Sequence, residues 1–134
     1  MKKVIVTGGA GFIGSNLVKK LLDLNVEKLL IIDDLSTGNE SNISSIVSDE
    51  RVQFLNSKIE DIESLNELFK DYDFCYHLAA GVGVQYIMDN LSESLLTNIL
   101  ATHKVLEACQ INKLPILLTS TSEVYGVAED DVWT

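Results

Sequence analysis

The sequence predicts an α/β fold, a doubly wound parallel sheet with helices on both faces, and two observations carry that prediction. Five short apolar β runs alternate with helical patterns along the chain, as βαβ units require. The first run, Val4-Ile5-Val6, is β-branched and uninterrupted by polar residues, which suits a strand buried on both faces. Strands are expected at Lys3–Thr7, Lys28–Asp33, Arg51–Leu55, Asp73–His77 and Pro115–Thr119. Helical patterns occupy Phe12–Leu24, Asp61–Lys70 and Leu91–Gln110, with apolar residues three and four apart, although Asn16, Asn98 and His103 interrupt those faces. Asn39–Asp49 is rich in Ser and Asn and reads as a connecting loop with at most a short helix. Right-handed crossovers then give the strand order 3-2-1-4-5, a Rossmann-type sheet with any ligand at the carboxyl ends of strands one and four. The chain stops soon after the fifth strand, so that strand is expected to present an uncovered edge.

Composition narrows the function. At 134 residues the chain is expected to form one domain, residues 1–134, long enough to bury a core. The net charge is −10 with Arg51 the one arginine, which argues against a nucleic-acid partner. No apolar run reaches membrane-spanning length. Met1-Lys2-Lys3 looks like the start of a signal peptide, but only three apolar residues follow before Thr7. A cytoplasmic location is therefore expected. Cys75 and Cys109 show no metal or redox spacing and read as reduced, buried thiols.

The most informative stretch is Thr7-Gly8-Gly9-Ala10-Gly11-Phe12-Ile13-Gly14. It follows a β run, opens a helix, and fits both Gly-x-Gly-x-x-Gly from Gly9 and the wider Gly8-x-x-Gly11-x-x-Gly14. Such glycines let the backbone turn sharply and approach a pyrophosphate. The anion then meets unpaired N–H groups at the helix start. An acid about twenty positions later completes the dinucleotide fingerprint, and Asp33 closes the run Leu29-Leu30-Ile31-Ile32. Asp33 is placed to accept hydrogen bonds from the adenosine ribose hydroxyls. A 2′-phosphate would face the carboxylates of Asp33 and Asp34, so the expected cofactor is NAD in preference to NADP.

At the end of strand four, His77-Leu78-Ala79-Ala80-Gly81 is small enough for a cofactor backbone to lie against it. His77 has no partner at metal spacing and reads as a packed or hydrogen-bonded core histidine; His103 reads as structural or surface. Strand five ends in Thr119-Ser120-Thr121-Ser122-Glu123-Val124-Tyr125-Gly126. Its hydroxyls suit a substrate hydroxyl and Glu123 suits a general acid or base. Spacing alone leaves equally open that these residues only bond their own backbone in a turn.

Thr7–Gly14, Asp33-Asp34-Leu35-Ser36-Thr37-Gly38, His77-Leu78-Ala79-Ala80, Thr97-Asn98 and Ser120–Gly126 occur in the order seen in the extended short-chain dehydrogenase/reductases. The chain resembles their NAD-dependent nucleotide-sugar epimerase/dehydratase branch from Met1 to about Gly126, the first part of enzymes usually more than twice as long. The resemblance implies a tightly held NAD that takes a hydride from a sugar carbon, usually C4, to give a 4-keto sugar before epimerisation, dehydration or decarboxylation. It implies that Gly8, Gly11, Phe12, Ile13 and Gly14 wrap the pyrophosphate. Asp33, Asp34, Leu35, Ser36, Thr37 and Gly38 would surround the adenosine, with Lys58 and Ile59 at the adenine. Leu78, Ala79, Ala80 and Val82 would line the cofactor's path, and Asn98 would reach back to the strand-end loops. Thr121 matches the family's catalytic Thr/Ser, with Ser122 and Glu123 beside it, and Val84 and Gln85 are candidate sugar contacts.

Three departures bear on what is carried over. Lys58 stands where the family usually has an aspartate facing the adenine amine. Ser122 replaces the aspartate acid of 4,6-dehydratases, and Thr121-Ser122-Glu123 is most similar to decarboxylases and some epimerases. No Tyr-x-x-x-Lys occurs in the chain; Tyr125 belongs to the Val-Tyr-Gly turn. The expectation is an N-terminal NAD-binding part, without turnover by itself, of a homo-oligomeric enzyme acting on a nucleotide sugar. A stand-alone NAD-binding module is the alternative. A short alcohol or steroid reductase fits the Asp33–Gly38 and Ser122–Gly126 motifs less well.

Overall fold

In the computed structural model, residues 2–80, 92, 95, 97–120 and 124 are described. Five parallel strands, β1 (Lys3–Thr7), β2 (Lys28–Asp33), β3 (Val52–Asn56), β4 (Phe74–His77) and β5 (Ile116–Leu118), form one sheet in the order β3-β2-β1-β4-β5. The expected order is therefore observed. The register aligns Thr7 with Ile32 and with His77, and His77 with Leu118. These residues and Asp33 thus end the strands at one rim.

Both faces of the central strands are covered because successive side chains point to opposite sides. Val4, Val6, Leu29 and Ile31 pack with Val18, Leu21 and Leu22 of helix α1 (Phe12–Asp23) and with Ile43. Ile5, Leu30, Ile32 and Cys75 pack on the other side with Leu65 and Phe69 of α2 (Leu65–Phe69) and with Val105, Ala108 and Cys109 of α3 (Thr102–Asn112). Two-sided burial explains why β1 and β2 read as unbroken apolar runs. Helix α1 buries Gly14, Ser15, Val18, Leu21 and Leu22, the single stripe its periodicity predicts.

Two expected helices are corrected. Asp61–Lys70 is a 3₁₀ turn at Ile59–Asp61 followed by the short α2. Ile62 is extended (φ −80°, ψ 109°), and Lys104 Nζ donates to the carbonyls of Glu60 and Ile62 at 2.6 and 3.3 Å. Two carbonyls that a continuous helix would pair with its own amides are thus drawn to a lysine on α3.

The helix expected over Leu91–Gln110 begins outside the described residues. Ser92 and Leu95 are helical, and the continuous described part starts with a π turn at Thr97–Ala101 and runs as α3 to Asn112. Lys113 then adopts a left-handed conformation (φ 53°), and the Leu114 amide closes onto the Cys109 carbonyl at 2.8 Å, a recurrent helix stop. Asn39–Asp49 holds only a 3₁₀ turn at Glu40–Asn42 and is anchored by the fully buried Ile43. No helix among the described residues is long and apolar enough to cross a membrane.

Candidate functional site

The glycine turn is built by contacts that leave no room for a side chain. Gly8 has φ 72°, a left-handed conformation that glycine adopts without penalty. A Cβ there would lie 2.7 Å from the Ala79 nitrogen and 2.8 Å from the Leu78 carbonyl carbon, so the turn meets the end of β4 backbone against backbone. A Cβ on Gly14 would overlap the Gly8 carbonyl oxygen. Gly11 caps α1 without a side-chain acceptor, and the first-turn amides have no intrahelical partner by helix geometry. The dipole there favours an anion. Phe12 and Ile13 stand 82% and 69% exposed at this helix start, apolar surface with nothing of the described chain over it.

Asp33 lies across the rim. Its Oδ2 accepts the Ala10 amide at 2.8 Å and its Oδ1 the Leu35 amide at 2.9 Å. A carboxylate offers about four acceptor positions, so each oxygen can take a further donor. The loop beyond it is tightly wound: Leu35 has φ 60°, and Asp34 Oδ1 accepts from the Ser36 amide and hydroxyl at 3.0 and 2.6 Å. A Cβ on Gly38 would lie 2.7 Å from Asp33 Oδ1, so the loop folds back over the acid. Lys58 precedes the 3₁₀ turn that begins at Ile59, which is buried beside Leu65 and Phe69.

At the end of β4, Leu78 N donates to the Thr7 carbonyl at 3.1 Å and Ala79 N to Thr7 Oγ1 at 3.3 Å. Thr7 Oγ1 is 2.6 Å from His77 Nδ1, and His77 Nε2 is 3.0 Å from Thr102 Oγ1. His77 is thus the hydrogen-bonded core histidine expected. Burial pushes its pKa down to about 4, so the ring is neutral at ordinary pH. Thr7 and Thr102 were not anticipated as its partners; they are 70 and 25 residues away in sequence. Asn98 lies on the π turn before α3, and His103 is exposed. Cys75 and Cys109 are free and buried against one another, and the hydrogen bond with the Cys109 thiol, together with burial, pushes the Cys75 thiol up. No group of three or more metal-ligating side chains occurs among the described residues.

Gly8, Gly11, Phe12, Ile13, Gly14, Asp33, Leu78, Ala79 and Ala80 therefore come together at one rim, with Asp34 to Gly38 closing one side. Val82, Val84, Gln85, Thr121, Ser122 and Glu123 lie outside the described residues.

A family model described as GDP-mannose 4,6 dehydratase matches residues 5–134. The chain belongs to that family. Its relatives include UDP-glucuronic acid decarboxylase 6 of Arabidopsis thaliana, 34% identical over 92% of this chain and 35% of the relative. A UDP-N-acetylglucosamine 4-epimerase from Methanobrevibacter ruminantium, solved with UDP-N-acetylmuramic acid, superposes with a TM-score of 0.89. It is 34% identical and matches 99% of this chain and 42% of that one. The dTDP-glucose 4,6-dehydratase of Streptomyces venezuelae, solved with NAD, also gives 0.89 at 30% identity, over 98% and 43% of the two chains. The neighbours are extended short-chain epimerases and dehydratases, as the motifs suggested. The chain spans between a third and a half of the length of these relatives.

Proposed function

We propose that residues 1–134 are an NAD-binding domain whose crevice runs along the carboxyl rim of β2, β1 and β4, and that it serves a nucleotide-sugar epimerase, decarboxylase or dehydratase. The observation that carries this reading is the backbone contact of Gly8 with Leu78 and Ala79 beside the Asp33 carboxylate. A cradle that any Cβ would fill, with an acid at the ribose position, suits a dinucleotide. The pyrophosphate lies on the α1 amides under Phe12 and Ile13. Asp33 takes the ribose hydroxyls, with Asp34, Leu35, Ser36, Thr37 and Gly38 around the adenosine and Lys58 and Ile59 at the adenine. Leu78, Ala79, Ala80 and Val82 face the rest of the cofactor, and Asn98 steadies the strand-end loops.

When bound, NAD supplies a hydride acceptor. The chain's part is to hold the sugar hydroxyl through Thr121, with Ser122 and Glu123 beside it and Val84 and Gln85 against the sugar, so that oxidation yields a 4-keto sugar. Without Tyr-x-x-x-Lys in these 134 residues, no identified group takes the hydroxyl proton, and the chain by itself does not turn over. Absence of NADH formation with UDP- and dTDP-sugars checks this; robust turnover contradicts it. The free, buried thiols and the absence of a spanning helix among the described residues are compatible with the cytoplasm.

Exposed Ile99 on the π turn, Leu106 on α3, and Leu117 and Leu118 on β5, the edge strand of the described sheet, support self-association. Sedimentation equilibrium giving a clean monomer at high concentration would exclude it. Titration calorimetry tests the cofactor: NAD binds at least about tenfold more tightly than NADP. Equal affinity would overturn the assignment of Asp33 and Asp34.

A further inference from the structure

Ala79 lies just past β4, where the sheet ladder no longer supplies its amide with a partner, yet this residue forms the wall against which Gly8 is pressed. Its amide is held instead by the Thr7 hydroxyl at 3.3 Å. A hydroxyl accepts well in that direction only if its own hydrogen points elsewhere, and the other neighbour of Thr7 Oγ1 is His77 Nδ1 at 2.6 Å. Burial decides the tautomer. Thr7 is fully buried, whereas Thr102 is only partly so. A proton on Nδ1 would leave the Thr7 hydroxyl hydrogen without an acceptor inside the core, where an unpaired donor is costly. A proton on Nε2 lets Thr7 donate to Nδ1 while Nε2 donates to Thr102 at 3.0 Å. Thr102, at the surface side, can place its hydrogen on water or on the preceding helical turn.

We propose that His77 is a positioning residue: with its proton on Nε2 it accepts the Thr7 hydroxyl hydrogen at Nδ1 and so presents a lone pair of that oxygen to the Ala79 amide, sets the Leu78–Ala80 wall against the glycine turn, and ties both to the start of α3. The ring touches no ligand. It acts on the cofactor only through the main chain of residues 78–80, so its effect on affinity rests on the reading that this crevice holds NAD. Through Thr102 the same ring reaches the first turn of α3, directly after the π turn that carries Asn98. The wall of the crevice and the helix behind it therefore share one hydrogen-bonded support.

Two substitutions separate the halves of the relay. Asn at 77 places a carbonyl oxygen near the position of Nδ1 and still accepts from Thr7. Gln at 77 places an amide nitrogen near Nε2, still donates to Thr102, and has no acceptor for Thr7. By calorimetry on the full chain, His77→Asn keeps NAD affinity within about threefold, whereas His77→Gln loses about tenfold, the worth of one hydrogen bond. Equal losses in the two variants, as a merely structural histidine would give, or the reverse ranking, overturn the proposal. Should His77→Gln fail to fold, Thr7→Ser against Thr7→Val makes the same comparison, with affinity kept by the serine and lost by the valine. Nitrogen NMR of the wild-type ring reads the tautomer without any ligand: an unprotonated Nδ1, together with slow hydrogen exchange at the Ala79 amide, is expected, and a protonated Nδ1 overturns the relay. If the wild type binds no NAD, the crevice reading falls, while the ring and amide measurements still decide whether the relay exists.

Discussion

The Asp33 carboxylate accepts the Ala10 amide at 2.8 Å across 23 residues of sequence, so the acid at the end of β2 also holds the glycine turn that follows β1. Its second oxygen holds the Leu35 amide. One side chain thus braces both loops that flank the rim.

Replacing Asp33 with alanine strips the acceptor from two backbone amides at once. Asp33→Ala is expected to lower stability by about 1–3 kcal/mol, measured by urea denaturation, besides weakening NAD by a similar amount through the lost charge-assisted bonds. An unchanged denaturation midpoint would show that water replaces the carboxylate at no cost.

Gly14→Ala adds a methyl where the Gly8 carbonyl already lies, and both backbone segments belong to the cradle. The turn must open, with an expected cost above about 1 kcal/mol and a fall in NAD affinity of at least about tenfold. Calorimetry and thermal unfolding on the same sample check both, and wild-type affinity in a stable variant contradicts the packing described.

His77 imposes a pH dependence whose sign follows from its buried neutrality. Its folded pKa, about 4, lies below the ordinary 6.5, so between those values the unfolded chain takes up a proton that the folded chain refuses. Stability therefore falls as pH drops from 6.5 through 4, by up to about 3 kcal/mol from this group, and is insensitive to it above pH 7. Urea unfolding of the wild type and His77→Asn over that range isolates the contribution from that of the carboxylates. Parallel curves would contradict it.

Tyr72 carries a buried hydroxyl that makes no hydrogen bond with the described residues, while its ring sits under Lys28 Nζ at 4.8 Å. Tyr72→Phe removes a desolvated polar atom and keeps the ring. The variant is expected to be as stable as the wild type or more stable by up to about 1 kcal/mol, in a thermal or urea melt. A clear loss would reveal a partner for the hydroxyl.

The strands and the glycine turn were legible because their signals are local. Lys3–Thr7 and Lys28–Asp33 are observed as expected, since two-sided burial writes itself as an apolar run between polar ends. Helix α2 was misjudged because Lys104, some forty residues on, takes the carbonyls of Glu60 and Ile62, and no window around residue 60 contains that lysine. The π turn at Thr97–Ala101 adds a residue and so rotates the following apolar face by about a quarter turn, a shift masked where the adjacent Ile99 and Leu100 are both apolar. In the site, Asp33 was found by its distance from the glycines, but its grip on Ala10 and Leu35 was not. The Thr7–His77–Thr102 chain arises from the register of β1 against β4 and from the docking of α3, neither of which a short stretch of sequence reports.

Where Gly8 meets Leu78 and Ala79, the crevice is joined by peptide groups alone. Such a seam has no side chain to exchange, so it can be spoiled by an added atom and cannot be adjusted by a substituted one. Any change in which dinucleotide is preferred has to come from the flanks, at Asp33 to Thr37 and at Lys58. A designer aiming to switch the chain toward a phosphorylated cofactor would leave the seam untouched and redraw only that border.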